Sequence, residues 1–279
     1  MLSLSDDTFA AMAAILRDET GIQIDPQRAA MVEARVGRRL RQLGIADDFD
    51  RYRALLEEGG DLADGERRAF VNVMTTNVTG FFREGHHFDL LAAHVAARRR
   101  AAPGAPVAVW SAGCASGAEA VSAVLAIAAA CPDMPPDALS VVATDIDDGA
   151  VEAARTGFYD PDLLAADAAS RYAALLCADD RGRVGLAPPW RARVRAARHN
   201  LVGGAPIPNA PPGGFDAILC RNVVIYFAEP AKRAAQSALD GALRPGGLLM
   251  LGHSERLLLP MAASYERIGL TAFRRGGTI

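Results

Sequence analysis

The chain has 279 residues, 51% of them apolar and 23% charged, and a formal net charge of −3. These values predict a globular protein with one small and one standard-sized domain. They exclude a nucleic-acid or membrane-surface binder that works by bulk positive charge, though not a local basic face. The longest apolar stretch, near Val121 to Cys131, falls short of the roughly 20 residues that span a bilayer. Asp6 and Asp7 make the start acidic, unlike a signal peptide, so a cytoplasmic location is expected. Cys114, Cys131, Cys177 and Cys220 form no CxxC pair and read as free thiols in a reducing compartment. No HxxH or HExxH pattern occurs, and His86 and His87 diverge on any helix, so no metal site is expected.

Residues 1 to about 74 read as a helical module. Asp6 or Asp7 is the expected cap of a helix through Arg17, and Asp25, followed by Pro26, caps the next. That second helix ends at Gly44 and places Met31, Val32, Val36, Leu40 and Leu43 at helical spacing. Arg28, Arg35, Arg38, Arg39 and Arg41 stand against the single acid Glu33, so the helix is either a solvated basic face or a docking surface for an acidic partner. Further helices are predicted at Phe49–Glu58 and Asp64–Val73. A Thr/Asn-rich stretch leads into Phe81-Phe82-Arg83, where aromatics would hold a guanidinium beside an apolar wall. A helix over His86–Arg100 follows, and residues 75–106 read as a linker and helix joining the module to the main domain.

Residues 107–279 alternate strands and helices. Val107–Trp110 reads as a buried strand, Gly113 to Gly117 as a turn of small residues, and the alanine-rich run after it as a helix. Strand, glycine turn and helix form the opening of a nucleotide-binding unit, although an ordinary βα turn looks the same. A second strand, Leu139–Thr144, ends in Asp145-Ile146-Asp147. An acid at this place binds ribose hydroxyls, so Asp145 is assigned to ligand and Asp147 to capping the helix Gly149–Arg155. Leu163–Leu176 reads as helix, and Arg183–Ala197 as a short strand or hairpin around Val184, Leu186 and Val194. Phe215–Cys220 is a buried strand, and Arg221, Asn222 and Tyr226 beyond its end project where ligands bind. A helix over Glu229–Leu243, a strand over Leu248–Leu251, and an antiparallel pair at Tyr265–Ile268 and Thr271–Arg274 complete the chain.

TTNVTGFFRE, VWSAGCASGAE, ATDID, FDAILCRNVVIYF and LRPGGLLMLGHSE, in this order, resemble the CheR family of chemotaxis receptor methyltransferases, and the resemblance covers nearly the whole chain. It implies an α/β fold: a Rossmann-like class I methyltransferase domain, mostly parallel and doubly wound with an antiparallel strand at the end, preceded by a small all-α domain. It implies S-adenosylmethionine as cofactor and S-adenosylhomocysteine as product. The cofactor residues it implies are Asn77, Thr79, Arg83, Gly113, Glu119, Asp145, Asn200, Leu201, Arg221 and Asn222, with Arg83 and Tyr226 near the transferred methyl. Arg35, Arg38, Arg39 and Arg41 are implied to face the cytoplasmic methylation helices of receptors. A monomer without direct membrane insertion or nucleic-acid partner is expected.

Two stretches depart from the family pattern. Ala118-Glu119-Ala120-Val121-Ser122 stands where the family has Glu-Glu-Pro-Tyr-Ser, and the stretch before Asn200 reads unlike the small β-subdomain by which some members hold a receptor tail. A receptor glutamate is already anionic near neutral pH, so its methylation needs no general base, only alignment. The first departure motivates a second reading, a non-catalytic module that binds the cofactor or its product and docks on signalling proteins. A dinucleotide-dependent dehydrogenase fails on the turn, because GCASG lacks the GxGxxG spacing.

Overall fold

A computed structural model describes residues 4–45 and 48–277. The chain divides into two compact units, one of residues up to Thr76 with Tyr226–Ala234, the other of Asn77–Ile225 with Ala235 onward.

In the first unit α1 spans Asp6–Thr20. Ser5, one residue ahead of the expected caps, accepts from the Thr8 amide, while Asp6 and Asp7 lie in the first turn, where negative charge complements the helix dipole. Gly21 ends α1 in the left-handed conformation, φ 77°. Asp25 caps a 3₁₀ turn at Pro26–Arg28 that runs into α2, Ala29–Leu43. Val32, Val36 and Leu40 are buried on one face of α2, while Leu43 is exposed. α3 covers Phe49–Glu57, capped by Asp48, and α4 covers Asp61–Met74, beginning a turn earlier than the polar sequence suggests. After a gap of 149 residues, 77 to 225, the chain returns here: Ile22 pairs with Phe227 in an antiparallel bridge, flanked by Gln23 N to Tyr226 O and Ala228 N to Gly21 O.

The second unit begins with α5, His86–Ala101, followed by β1, Val107–Ala112, and α6, Ala118–Ala130. Then come β2, Leu139–Asp145, α7, Asp148–Thr156, and β3, Phe158–Tyr159. The predicted helix over Leu163–Leu176 is broken into a 3₁₀ turn, α8 at Ala166–Arg171, a second 3₁₀ turn and β4, Leu176–Ala178. β5, Val184–Leu186, α9, Pro188–Arg191, and β6, Val194–Arg198, follow. β3, β5 and β4 make a three-stranded antiparallel sheet in the stretch whose sequence reads unlike a β-subdomain. Strands of two or three residues are too short to print an alternation, which is why the sequence hides them.

β7 spans Phe215–Cys220, and α10 spans Glu229–Ala242. β8 runs over Leu243–Leu251, so Arg244-Pro245-Gly246-Gly247, ahead of the strand predicted at Leu248, is already its first part. β9, Tyr265–Gly269, and β10, Ala272–Arg275, form the closing antiparallel pair. The main sheet has the order β6-β2-β1-β7-β8-β10-β9, parallel from β6 to β8. β1 and β7 lie at its centre and are buried along their whole length, as continuous apolar strands should be. Leu91 and Val95 of α5 and Val124, Leu125 and Ile127 of α6 pack with Val109, Val141, Leu219 and Met250 of the sheet in one apolar core. This core fixes the carboxyl ends of β6, β2, β1 and β7 side by side.

Candidate functional site

The first loop at this edge follows β1. Gly113 has φ 75°, and a Cβ there would lie 2.3 Å from a Val223 methyl, so only glycine lets the loop after β7 close on the loop after β1. Gly117 has φ 87°, and a Cβ on it would meet Ala154 at 2.8 Å. The amide of Ala115, between the two glycines, donates to Asp145 Oδ2 at 2.8 Å.

Asp145 also accepts the Asp147 amide on Oδ1 at 3.0 Å. Its carboxylate is buried, and burial raises its pKa while these amides oppose the shift. The Ile146 amide also favours the charged carboxylate, and with about four lone-pair sites the group still has acceptor capacity for a ligand hydroxyl. Asp147 caps α7 through the Gly149 and Ala150 amides at 2.7 and 3.2 Å, and Asn77 donates to its other oxygen at 2.8 Å. The cap is what the sequence predicts; the tie to Asn77, an expected cofactor residue, is new.

Glu119 lies in the first turn of α6. It accepts the Ser111 hydroxyl at 2.6 Å and pairs with Arg221 at 3.2 Å. Burial pushes its carboxyl up, and Arg221 and Ser111 pull against that shift. Arg221 is buried, reaches Glu84 at 3.5 Å, donates to the Arg83 carbonyl, and lies 5.5 Å from the Phe88 ring centroid. One guanidinium thus ties the loop after β7 to α6 and to the segment ahead of α5. Ala118, Ala120 and Val121, where the chain departs from the family pattern, are all buried in the core; the acid between them is the one that makes polar contacts.

Arg83 differs from expectation. Phe81 and Phe82 turn inward, onto Tyr159 and onto Phe88 and Tyr172, while Arg83 itself is exposed and donates to the Val78 carbonyl at 3.3 Å. The neighbouring aromatics therefore anchor its backbone rather than wall in its guanidinium. Phe82 is further fixed by its amide, which donates to Ser122 Oγ at 3.0 Å. Thr79 lies partly buried in the same segment. Asn200 and Leu201 follow β6, with Asn200 Oδ1 accepting the Val202 amide at 3.1 Å and the His199 amide bonded to the Asp145 carbonyl. Tyr226, in contrast, belongs to the first unit, where its ring is 39% exposed.

One residue missed in the sequence organises the loop after β7. Glu255 is buried, and its carboxylate accepts the amides of Gly252 at 2.6 Å, Asn222 at 3.0 Å and Val223 at 2.8 Å. Asn222 sits at φ 60°, a conformation that asparagine tolerates better than most residues. The signal was present in LGHSE, an acid just past a strand end, but nothing in sequence shows that it reaches back 33 residues.

Two family models match the chain: the CheR methyltransferase all-alpha domain over residues 7–75 and the CheR methyltransferase SAM binding domain over residues 77–273. The chain belongs to the CheR methyltransferase family. Its relatives include the chemotaxis protein methyltransferase of Klebsiella aerogenes, 36% identical over 281 residues, covering 100% of this chain and 90% of the relative. Those of Salmonella typhimurium and Escherichia coli are both 38% identical, covering 91% of this chain and 85% and 86% of their own lengths. The CheR match to a SAM-binding domain falls on the unit that carries the Gly113–Gly117 turn, Asp145, Glu119 and Arg221.

Two of the four expected docking arginines are engaged inside the first unit. Arg35 donates to the carbonyls of Met74 and Thr75 at 2.7 and 2.8 Å, closing the carboxyl end of α4. Arg39 forms a bidentate pair with Glu66, which also accepts the Tyr52 hydroxyl at 2.7 Å. Arg38 and Arg41 are exposed.

Proposed function

We propose that the chain transfers the methyl group of S-adenosylmethionine to glutamate side chains in the cytoplasmic helices of chemotaxis receptors, giving glutamyl methyl esters and S-adenosylhomocysteine. The observation that carries this reading is the grouping, in a domain of a methyltransferase family, of Asp145 at the end of β2 and Arg221 just past β7 with Glu119 of α6, which bonds Ser111 of β1 and Arg221. Asp145 keeps acceptor capacity for a ribose hydroxyl, and Glu119 supplies negative charge for a cationic cofactor end, with Asn77, Thr79, Asn200, Leu201 and Asn222 completing the expected contacts.

When bound, the cofactor supplies a sulfonium-activated methyl. The chain's own part is positioning. A carboxylate acceptor at neutral pH carries its own lone pair, so no base has to take a proton from it. Arg83, exposed and with most of its donors uncommitted among the described residues, is suited to orient that carboxylate by a charge-assisted pair. Tyr226 is assigned to the methyl-bearing end of the cofactor, and Arg38 and Arg41 to the acidic face of the receptor helix.

The test is incubation of the purified chain with labelled S-adenosylmethionine and receptor cytoplasmic fragments, followed by mapping of base-labile methyl esters. Esters on receptor glutamates are expected. Arg83→Ala and Tyr226→Phe are expected to lose turnover while S-adenosylhomocysteine still binds. Tight cofactor binding without any ester would favour the non-catalytic module. The burial of Ala118, Ala120 and Val121 in the core, with Glu119 kept, weighs against that module.

A further inference from the structure

A second constellation lies where the sequence argued against one. His86 and His87 open α5, and instead of diverging their rings lie 4.2 Å apart. Glu84, just ahead at φ 53°, turns its carboxylate toward them. Ligand atoms of Glu84, His86 and His87 all fall within 4.8 Å of one another.

The hydrogen bonds of this group do not close. His87 is wholly buried, and its Nε2 lies 2.9 Å from the Leu270 carbonyl, which can only accept. A carbonyl oxygen needs a donor, so the N–H of the neutral ring lies on Nε2. That leaves a bare lone pair on Nδ1, aimed at Glu84 Oε2 from 3.7 Å. Neither atom has a hydrogen-bond partner, and both are acceptors. Two buried acceptors face to face repel unless something positive stands between them.

We propose that Glu84, His86 and His87 bind a divalent transition-metal cation of the Zn²⁺ class. A Zn²⁺ ion about 2.1 Å from Nδ1 and from Oε2 would span their separation at an angle of about 125°, near that of a tetrahedral site. Two imidazoles and a carboxylate are a donor set that zinc accepts. His253 Nδ1 lies 3.3 Å from the other Glu84 oxygen, Oε1, and steadies the carboxylate. The carbonyl of Leu270 orients His87 from behind, as outer-shell acceptors do for metal-bound histidines. Arg221 approaches the same Glu84 oxygen, but it is shared with Glu119, so two carboxylates face one guanidinium and the pocket retains negative charge for a cation. The ion would tie the segment bearing Arg83 to the loop after β8.

The experiment uses the full chain after chelator treatment, titrated with Zn²⁺ by calorimetry and with Co²⁺ by visible d–d absorption at neutral pH. One equivalent is expected to bind, with a rise in Tm. His86→Ala, at a partly exposed position that should leave folding intact, and Glu84→Gln are each expected to weaken binding by at least about 10-fold. Cys131→Ser, a thiol outside the group, is expected to change nothing. No saturable binding, or binding that the first two variants leave intact or the third removes, would overturn the proposal. None of these readouts depends on methyl transfer, so failure here leaves the proposed activity standing and the converse.

Discussion

Glu255 and Asn222 stand beyond the ends of neighbouring strands, and a single 3.0 Å bond from the Asn222 amide to the Glu255 carboxylate holds Asn222 in its left-handed conformation. The same carboxylate takes the Val223 amide, and Val223 in turn fills the space above Gly113. The loop after β7 and the loop after β1 are therefore set by one acid outside both.

Replacing that acid gives the first prediction. Glu255→Gln swaps one acceptor for a donor facing backbone N–H groups, and an unsatisfied buried amide costs about 1–3 kcal/mol. Calorimetry should show S-adenosylhomocysteine binding weakened by about 10-fold or more, the equivalent of about 1.4 kcal/mol. Gly252→Ala should do the same, because a Cβ there would sit 2.7 Å from the Asn222 amide nitrogen. Unchanged affinity in both would remove Glu255 from any role in the site.

A second prediction separates the arginines of α2. Arg35→Ala opens the carboxyl end of α4 and should lower stability by about 1–2 kcal/mol in denaturant melts. Arg38→Glu and Arg41→Glu, both at exposed positions, should leave the melt unchanged within about 0.5 kcal/mol. They should instead raise the KM for receptor fragments and weaken the salt dependence of the rate, as loss of a steering charge does. If Arg38→Glu and Arg41→Glu leave KM untouched, the basic face of α2 is solvated and nothing more.

A third concerns acid stability in the helical unit. Arg39 and Tyr52 hold the Glu66 carboxyl below its ordinary value of 4.5, outweighing the burial that would raise it. A depressed carboxylate contributes stability that is present above its unfolded pKa and is lost as pH falls through the folded one. Arg39→Ala leaves Glu66 buried without its cation and should cost about 3 kcal/mol near neutral pH. The loss should shrink as pH falls through the depressed folded pKa, below which Glu66 is protonated in both states. A cost independent of pH would mean that packing, not the ion pair, sets it.

His94 supplies a fourth, in the other unit. Burial lowers its pKa from 6.5 to about 4, helped by Arg274, Arg98 and Arg244, with the backbone of Asp216 opposing. Between those two values the unfolded chain binds a proton that the folded chain does not, so stability rises with pH across that window. The span corresponds to about 3 kcal/mol at most. His94→Gln should flatten the acid limb of the stability profile between about pH 4 and 6.5. An unaltered slope would assign it to other groups.

The sequence showed the sheet core plainly because β1, β2 and β7 are continuous apolar runs between small-residue turns. Asp145 was readable for the same reason, as the last residue of β2, whereas Glu119, in the first turn of α6, was named only through the motif resemblance. Glu255 and Glu84 were not readable, because their partners are far along the chain and the bonds run to backbone amides or to buried rings that carry no pattern. His86 and His87 were judged by helical geometry, yet they sit at the helix start, beside a left-handed Glu84 that brings a carboxylate round to both. Arg35 and Arg39 look like surface charge in a basic helix, and only tertiary contacts show that they serve α4 and Glu66.

The bridge between Ile22 and Phe227 has a consequence for how this protein is made. The helical unit is completed by residues 226–234, so a ribosome must synthesise most of the polypeptide before the first-made helices meet their last partner. A fragment cut at the family boundary near residue 76 would lack that partner and leave backbone groups of Gly21 and Gln23 to water. Vectorial folding of the amino-terminal part should therefore stall short of the native state until the chain is about five-sixths finished.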